Sequence, residues 1–340
     1  MKRWLRITAF AVALAIGVGI ASPAYAGQPG ESNYWSPEVS NGQNVQGRGE
    51  DEARAPNGDL VEVWRGWTND EIYLSVNNGP ARRWQSTLSG NVARTYARPR
   101  VVWTDAGWRI WHTGVDGHIY YGGISVSGGQ LVGFGEFWQV PNNAVTRPDQ
   151  PPAVVALPGG ESAYLAWVGS NSNQIYGLYY NGGVSPTVWG QPVAIPHATS
   201  ATAPNLAFNR NWGTDQLGLT WAGEDHGVYL AWQTYGTSSW STFHLYGRST
   251  NVTPSIVFTD NGTGQLAIIP YVNGSSSGAT EYTTLRSDRT WGGQWTTESQ
   301  QLATWNHLPP TLATYNNVVY SIAIALNGYM YWKASGDYSK

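Results

Sequence analysis

The chain has 340 residues, with 41 glycines, 19 tryptophans and no cysteine, and only 12% of it is charged. Three of its 19 basic residues (Lys2, Arg3, Arg6) fall within the first 26 positions, leaving 16 basic against 22 acidic residues beyond them. That balance argues against a nucleic-acid face or an anionic membrane as partner, and the lack of cysteine excludes a disulfide scaffold.

Residues 1–26 read as a secretory signal peptide: a basic start, an apolar run from Ile7 to Ala21, and Ala24-Tyr25-Ala26 as the cleavage pattern. The protein is therefore expected to be secreted, with 27–340 forming one domain. Next comes Asn33-Tyr34-Trp35-Ser36-Pro37, a strand-like piece with no companions before it.

A repeat follows. Its units read Val61-Glu62-Val63-Trp64-Arg65-Gly66, Ile72-Tyr73-Leu74 and Trp84; then Pro99-Arg100-Val101, Trp108-Arg109-Ile110-Trp111, Ile119-Tyr120-Tyr121 and Trp138; then Pro152-Ala153-Val154, Tyr164-Leu165-Ala166-Trp167, Ile175-Tyr176 and Trp189. Pro204-Asn205-Leu206, Leu217 to Gly223, Val228-Tyr229-Leu230 and Trp240 make the next unit. A degenerate unit closes at Trp295, and the last runs from Pro310 to Tyr331 without a fourth segment. Four short apolar segments at this period predict an all-β propeller of four-stranded blades. The count is six, with room for a seventh in Gln43–Ala55. The segment around Trp35 is expected to supply the missing fourth strand and close the ring, removing open sheet edges.

The repeat suggests where a site would lie. The loops between second and third strands carry Asp70, Asp116, His118, Asn171, Asn173, Asp225 and His226. They would form a polar recognition surface on one face of the ring. Turn chemistry alone accounts for the same residue types. The closing tryptophans Trp84, Trp138, Trp189 and Trp240 are expected on the outermost strand, more exposed and able to stack on a ligand, although packing within the blade is the leading role for most of them. Trp111, Trp167 and Trp221 are expected to share one blade position and to pack between blades.

Signals for catalysis are weak. No nucleophile elbow, phosphate loop, HExxH pair or dinucleotide fingerprint occurs, so no catalytic residue and no cofactor is assigned. The histidines are too scattered for a metal centre. A glycosidase would need two facing carboxylates, for which Asp116, Glu136 and Asp225 are the candidates. A sialidase would need three arginines, and Arg98, Arg100 and Arg109 cluster in one blade. Ser287-Asp288-Arg289-Thr290-Trp291 is a single compressed approximation to the box of that family.

The unit P-x-L…L-x-x-W-x-G…I-Y-x…W resembles repeats of secreted actinobacterial propellers, among them the dispase autolysis-inducing proteins, and more distantly those of bacterial propeller lectins. The first resemblance implies a non-catalytic protein that antagonises a metalloprotease and is cross-linked by transglutaminase. Gln28, Gln43, Gln46, Gln294, Gln300 and Gln301 would be the glutamine donors. The second implies glycan binding between blades. Extracellular protein partners are the leading expectation, a glycan the alternative and hydrolysis the third.

Overall fold

A computed structural model describes residues 39–44, 47–182, 188–209, 216–250 and 252–260, and then the strand segments between 265 and 337. The signal-peptide reading, Trp35, Gln28, Gln46, Gln294, Gln300, Gln301 and Ser287–Trp291 lie outside them. Of Gln43 only the backbone, in a strand, is described.

The regular elements of these residues are all strands, favoured by β-branched and aromatic side chains, with glycines at the turns between them. After β1 (Val39–Asn44) come β2 (Gly47–Arg54), β3 (Leu60–Gly66), β4 (Ile72–Val76) and β5 (Arg82–Arg83), which form blade 1. Blade 2 consists of β6 (Arg100–Thr104), β7 (Gly107–Thr113), β8 (Ile119–Ser127) and β9 (Gln130–Gln139). Blade 3 has five strands: β10 (Ala153–Leu157), β11 (Ser162–Val168), β12 (Gln174–Asn181), β13 (Val188–Trp189) and β14 (Val193–Thr199). Blade 4 is β15 (Asn205–Asn209), β16 (Gln216–Ala222), β17 (Gly227–Thr234) and β18 (Trp240–Ser249). Backbone pairing alone defines two further sheets. One contains β19 (Val257–Asp260), β20 (Gln265–Val272), β21 (Thr280–Arg286) and β22 (Thr296–Thr297); the other joins β23 (Thr311–Tyr315), β24 (Val318–Ile324) and β25 (Tyr329–Asp337) to β1.

Every pairing is antiparallel, and all join chain neighbours except β1 with β25 and β12 with β14. The first strands lie against one another in order: β2 on β6, β6 on β10, β10 on β15, β15 on β19, β19 on β23, and β23 back on β2. The architecture is an all-β propeller. Blades 1 to 4 are those whose side chains are described, and the site rests on them. The described N-terminal strand that joins the last sheet is Val39–Asn44, with Val39 opposite Trp332; the segment around Trp35 expected in that role lies outside the described residues. One expectation needs correction. Gln43–Ala55 hides no seventh blade, because it spans the end of β1 and the first strand of blade 1.

Alternation along the second strands of blades 2 and 3 divides the core between two inter-blade layers. In β11, Ala163, Leu165 and Trp167 join residues of blade 2, while Tyr164, Ala166 and Val168 join residues of blade 4. The same rule governs β7, where Ile110 packs with blade 1 and Trp111 with blade 3.

Candidate functional site

One turn recurs in the four loops between second and third strands. Each second strand runs into a glycine: Gly66, Gly114, Gly169 or Gly223. A Cβ at any of these would lie less than 3.0 Å from both a short polar side chain and a tyrosine ring (Asn69 and Tyr73, Asp116 and Tyr120, Ser172 and Tyr176, Asp225 and Tyr229). Tyr120 donates its hydroxyl to Asp116 at 2.8 Å and Tyr229 donates to Asp225 at 2.9 Å, while the His118 and Gly227 amides reach the same carboxylates. Burial alone would raise both acids, but these hydrogen bonds outweigh it and hold them below their usual range. The Tyr120 hydroxyl is pushed up to about 12, by burial and then by its bond to Asp116.

The polar residues read from sequence therefore divide. Asp116 and Asp225 fasten their own turns. Asp70 and His226 occupy left-handed turn positions, with φ of 55° and 63°. His118 sits 3.2 Å from Asp116. Asn173 ties neighbouring loops together: Arg147 donates to its oxygen at 2.8 Å and its own amide donates to Glu224. Asn171 is exposed at an inter-blade cleft.

Each turn tyrosine belongs to a row of side chains running across its blade. The second-strand member stacks on it: Trp64 on Tyr73, His112 on Tyr120, Trp167 on Tyr176 and Trp221 on Tyr229, with interplanar angles of 13–26°. This corrects the expected grouping of Trp111 with Trp167 and Trp221. His112 is the equivalent residue, and Trp111, one position earlier, faces the opposite layer against Tyr180 and Trp189. The fourth-strand members are Arg83, Gln139, Ala194 and His244. In blade 4, His244 stacks on the other face of Tyr229 at 4.5 Å, enclosing the ring. In blade 3 that neighbour is only an alanine.

The outer tryptophans behave unequally. Trp138 is 61% exposed, as expected, and Trp189 and Trp240 are half-buried. Trp84 is wholly buried, a correction. It follows a strand of only two residues and turns inward against His112 and Phe137 of blade 2, where Gly122 leaves room for its ring.

The cleft lies between blades 2 and 3, with a volume of about 510 Å³. Asn142, Asn143 and Val145 from the link after blade 2 form one wall. The other is Gly169, Ser170, Asn171 and Ser172, with Trp167 and Tyr176 behind them and Pro192 at the side. Two local features shape it. Asn142 and Asn143 adopt φ of 63° and 59°, conformations that asparagine tolerates, and the Asn142 amide donates to Gly190 across the gap at 3.0 Å. Blade 3's outer strand is also interrupted between β13 and β14, where Pro192 has no ladder donor. Sequence reading found Asn171 but missed Asn142, Asn143 and Tyr176. The interrupted strand around Gly190-Gln191-Pro192 was the available signal.

A second polar cluster sits where β2 meets β6. Glu50, Asp51, Glu52, Glu62, Arg98 and Arg100 are all buried. Asp51 accepts from Arg100 at 3.2 Å and from the Val101 amide at 2.8 Å. Glu52 lies opposite Glu62 in register, and burial, followed by repulsion from Glu62, pushes its carboxyl up to about 8. Ser75 donates to Glu62 at 2.6 Å, whereas Glu52 Oε2 has no hydrogen-bond partner. Arg109 is instead committed to Glu161 of blade 3. Arg98 and Arg100 thus share the buried cluster between blades 1 and 2 while Arg109 is tied to blade 3, so the three do not form a sialidase-like grip. Glu136, held by Ser86 and Ser89 at the seam of blades 1 and 2, Asp116 and Asp225 belong to separate local networks. Among the described residues no group of three or more metal-ligating side chains occurs.

No protein-family model and no curated protein sequence matches the chain. Solved structures do. An α-L-arabinanase of Penicillium chrysogenum complexed with arabinobiose is 13% identical with a TM-score of 0.58, over 90% of this chain and 97% of that one. An α-L-arabinofuranosidase of Fusarium graminearum is 11% identical with a TM-score of 0.57, over 90% and 99%. The Aleuria aurantia lectin in complex with Fucα1-6GlcNAc is 12% identical with a TM-score of 0.57, over 87% and 93%. That lectin is described as a six-bladed β-propeller with its own mode of fucose recognition. These likenesses overturn the leading expectation of a protease-antagonising, transglutaminase-linked protein. The proteins whose backbone this chain shares bind or process sugars by name, and what the likeness establishes for this chain is the β-propeller fold.

Proposed function

We propose that this chain is a secreted, six-bladed β-propeller that binds glycans in the cleft between blades 2 and 3. The single observation that carries the reading is the cleft itself: a concave, amide- and hydroxyl-lined space backed by Tyr176 and Trp167. Aromatic faces stack on sugar C–H surfaces, and amides and hydroxyls meet sugar hydroxyls, which both donate and accept. Six sheets, the circular order of their first strands and the pairing of β1 with β25 support a ring closed by an N-terminal strand. The leader at 1–26 supports secretion. The test is a glycan array probed with the intact protein and with a variant carrying Asn171→Ala and Ser172→Ala. Binding by the first and its loss in the second are expected, and no glycan bound above background refutes the reading.

A second reading, glycoside hydrolysis, draws support from Glu52, a buried carboxyl whose raised pKa suits a general acid, opposite a second buried carboxyl, Glu62. Reducing sugar released from arabinan, and lost in Glu52→Gln, would favour it over simple binding.

A further inference from the structure

We infer that the cleft between blades 2 and 3 selects a short neutral saccharide, one of whose rings lies on the face of Tyr176 that the fourth strand leaves open. This inference rests on the glycan-binding reading and names the ligand class.

Three observations carry it. The first is the row across each blade. Tyr176 is stacked on one side by Trp167, with ring centroids 6.1 Å apart. Its other cross-strand neighbour is Ala194, where the corresponding tyrosines have Arg83, Gln139 or His244. In blade 4 the imidazole of His244 lies 13° from parallel on Tyr229 and fills the place a ligand ring would take. A methyl group cannot do so, and Tyr176 lines the cleft. Blade 3 thus replaces an internal stacking partner with space.

The second observation is the break in the outer strand. β18 is continuous over ten residues, whereas β13 and β14 are separate pieces around Gly190 and Pro192. The break falls beside Tyr179, to which the Gly190 amide still bonds, and the strand resumes as β14 with Val193 and Ala194 opposite Gly177 and Tyr176, so that only a methyl group is presented at the tyrosine; Asn142 holds the edge of the break through its bond to Gly190.

The third is charge. No lining residue carries a carboxylate, an amine, a guanidinium or an imidazole. Arg147 and Glu224, which reach the loop at Asn173, are both engaged on its amide. A uronate or sialate placed here would meet no positively charged side chain in the cleft's lining, which discriminates against acidic sugars. A volume of about 510 Å³ fits a short saccharide.

The experiment is calorimetric titration of the intact protein with neutral disaccharides (arabinobiose, xylobiose, cellobiose, lactose) and acidic ones (digalacturonate, sialyllactose). It is repeated on Ala194→His, which copies blade 4's stack, and on Ala194→Ser, which does not. Ala194 is exposed, so both variants should keep the parent's circular dichroism and Tm. A neutral disaccharide should bind, at least tenfold more weakly in Ala194→His and unchanged in Ala194→Ser. Preference for an acidic sugar, or undiminished binding by Ala194→His, overturns the inference while leaving glycan binding intact. Binding of no sugar by the parent, here and on the array, removes both.

Discussion

Replacing Glu52 by glutamine should remove a specific slope from the pH dependence of stability. In the folded protein burial and the facing Glu62 carry the Glu52 carboxyl from 4.5 to about 8. Its folded pKa is raised, so between these values the native state holds a proton that the unfolded chain has lost, and stability falls as pH rises through the window. His112 bears on the acidic part of that window. Burial lowers its pKa from 6.5 to about 3, so below 6.5 the unfolded chain binds the extra proton and stability falls with acidification. Above pH 6.5 His112 is neutral in both states and Glu52 acts without its opposition. Over the roughly 1.5 units from pH 6.5 to 8, at about 1.4 kcal/mol per unit, Glu52 should cost about 2 kcal/mol. Urea unfolding of the parent and of Glu52→Gln at pH 6.5, 7.3 and 8 measures it. The parent should lose stability across the series and the variant much less, with any remaining slope assigned to Asp51 and Glu62, both also raised by burial. An equal slope in the two proteins would refute the placement of Glu52 as a buried acid.

Other outcomes follow from the same packing. Trp84→Ala should cost about 3–5 kcal/mol because the indole is fully enclosed, whereas Trp138→Ala, at an exposed ring, should change stability little; chemical denaturation of both reads the contrast. Gly122→Ala should destabilise by about 1–3 kcal/mol and lower Tm, since its Cβ would fall 2.5 Å from the Glu136 carbonyl and 2.6 Å from the Trp84 ring. His112→Phe should flatten the loss of stability between pH 6.5 and 4 that neutral burial of the imidazole imposes, followed by denaturant titration at each pH. Arg109→Met should cost about 1–3 kcal/mol in Tm-derived stability, because Glu161 would keep its partial burial without the guanidinium that pairs it.

Much of the propeller is written in the sequence because each blade must bury the same faces. The closing tryptophans and the Gly–polar–Tyr turn repeat for that reason. What escaped reading was anything decided by a single position. Trp111 and His112 are neighbours, and a strand sends neighbours to opposite faces, so alignment by residue type placed the wrong one in the stacking row. Trp84 looked like an outer-strand residue by spacing. Its strand ends after two residues, and the chain's inward turn, which no local pattern announces, buries it. The last unit's missing fourth segment pointed to an N-terminal strand, and Val39–Asn44 does pair with β25. The cleft was least legible. It arises from what blade 3 lacks, a continuous outer strand and a bulky residue at position 194, and an absence becomes visible only when the four rows are laid side by side in space.

A crystal structure of the protein with the tightest-binding saccharide from the array tests the central claim most directly. The account predicts ligand density between Asn142 and Asn171, with a sugar ring against Tyr176. Density beside Glu52, or in another gap with this cleft empty, would contradict it.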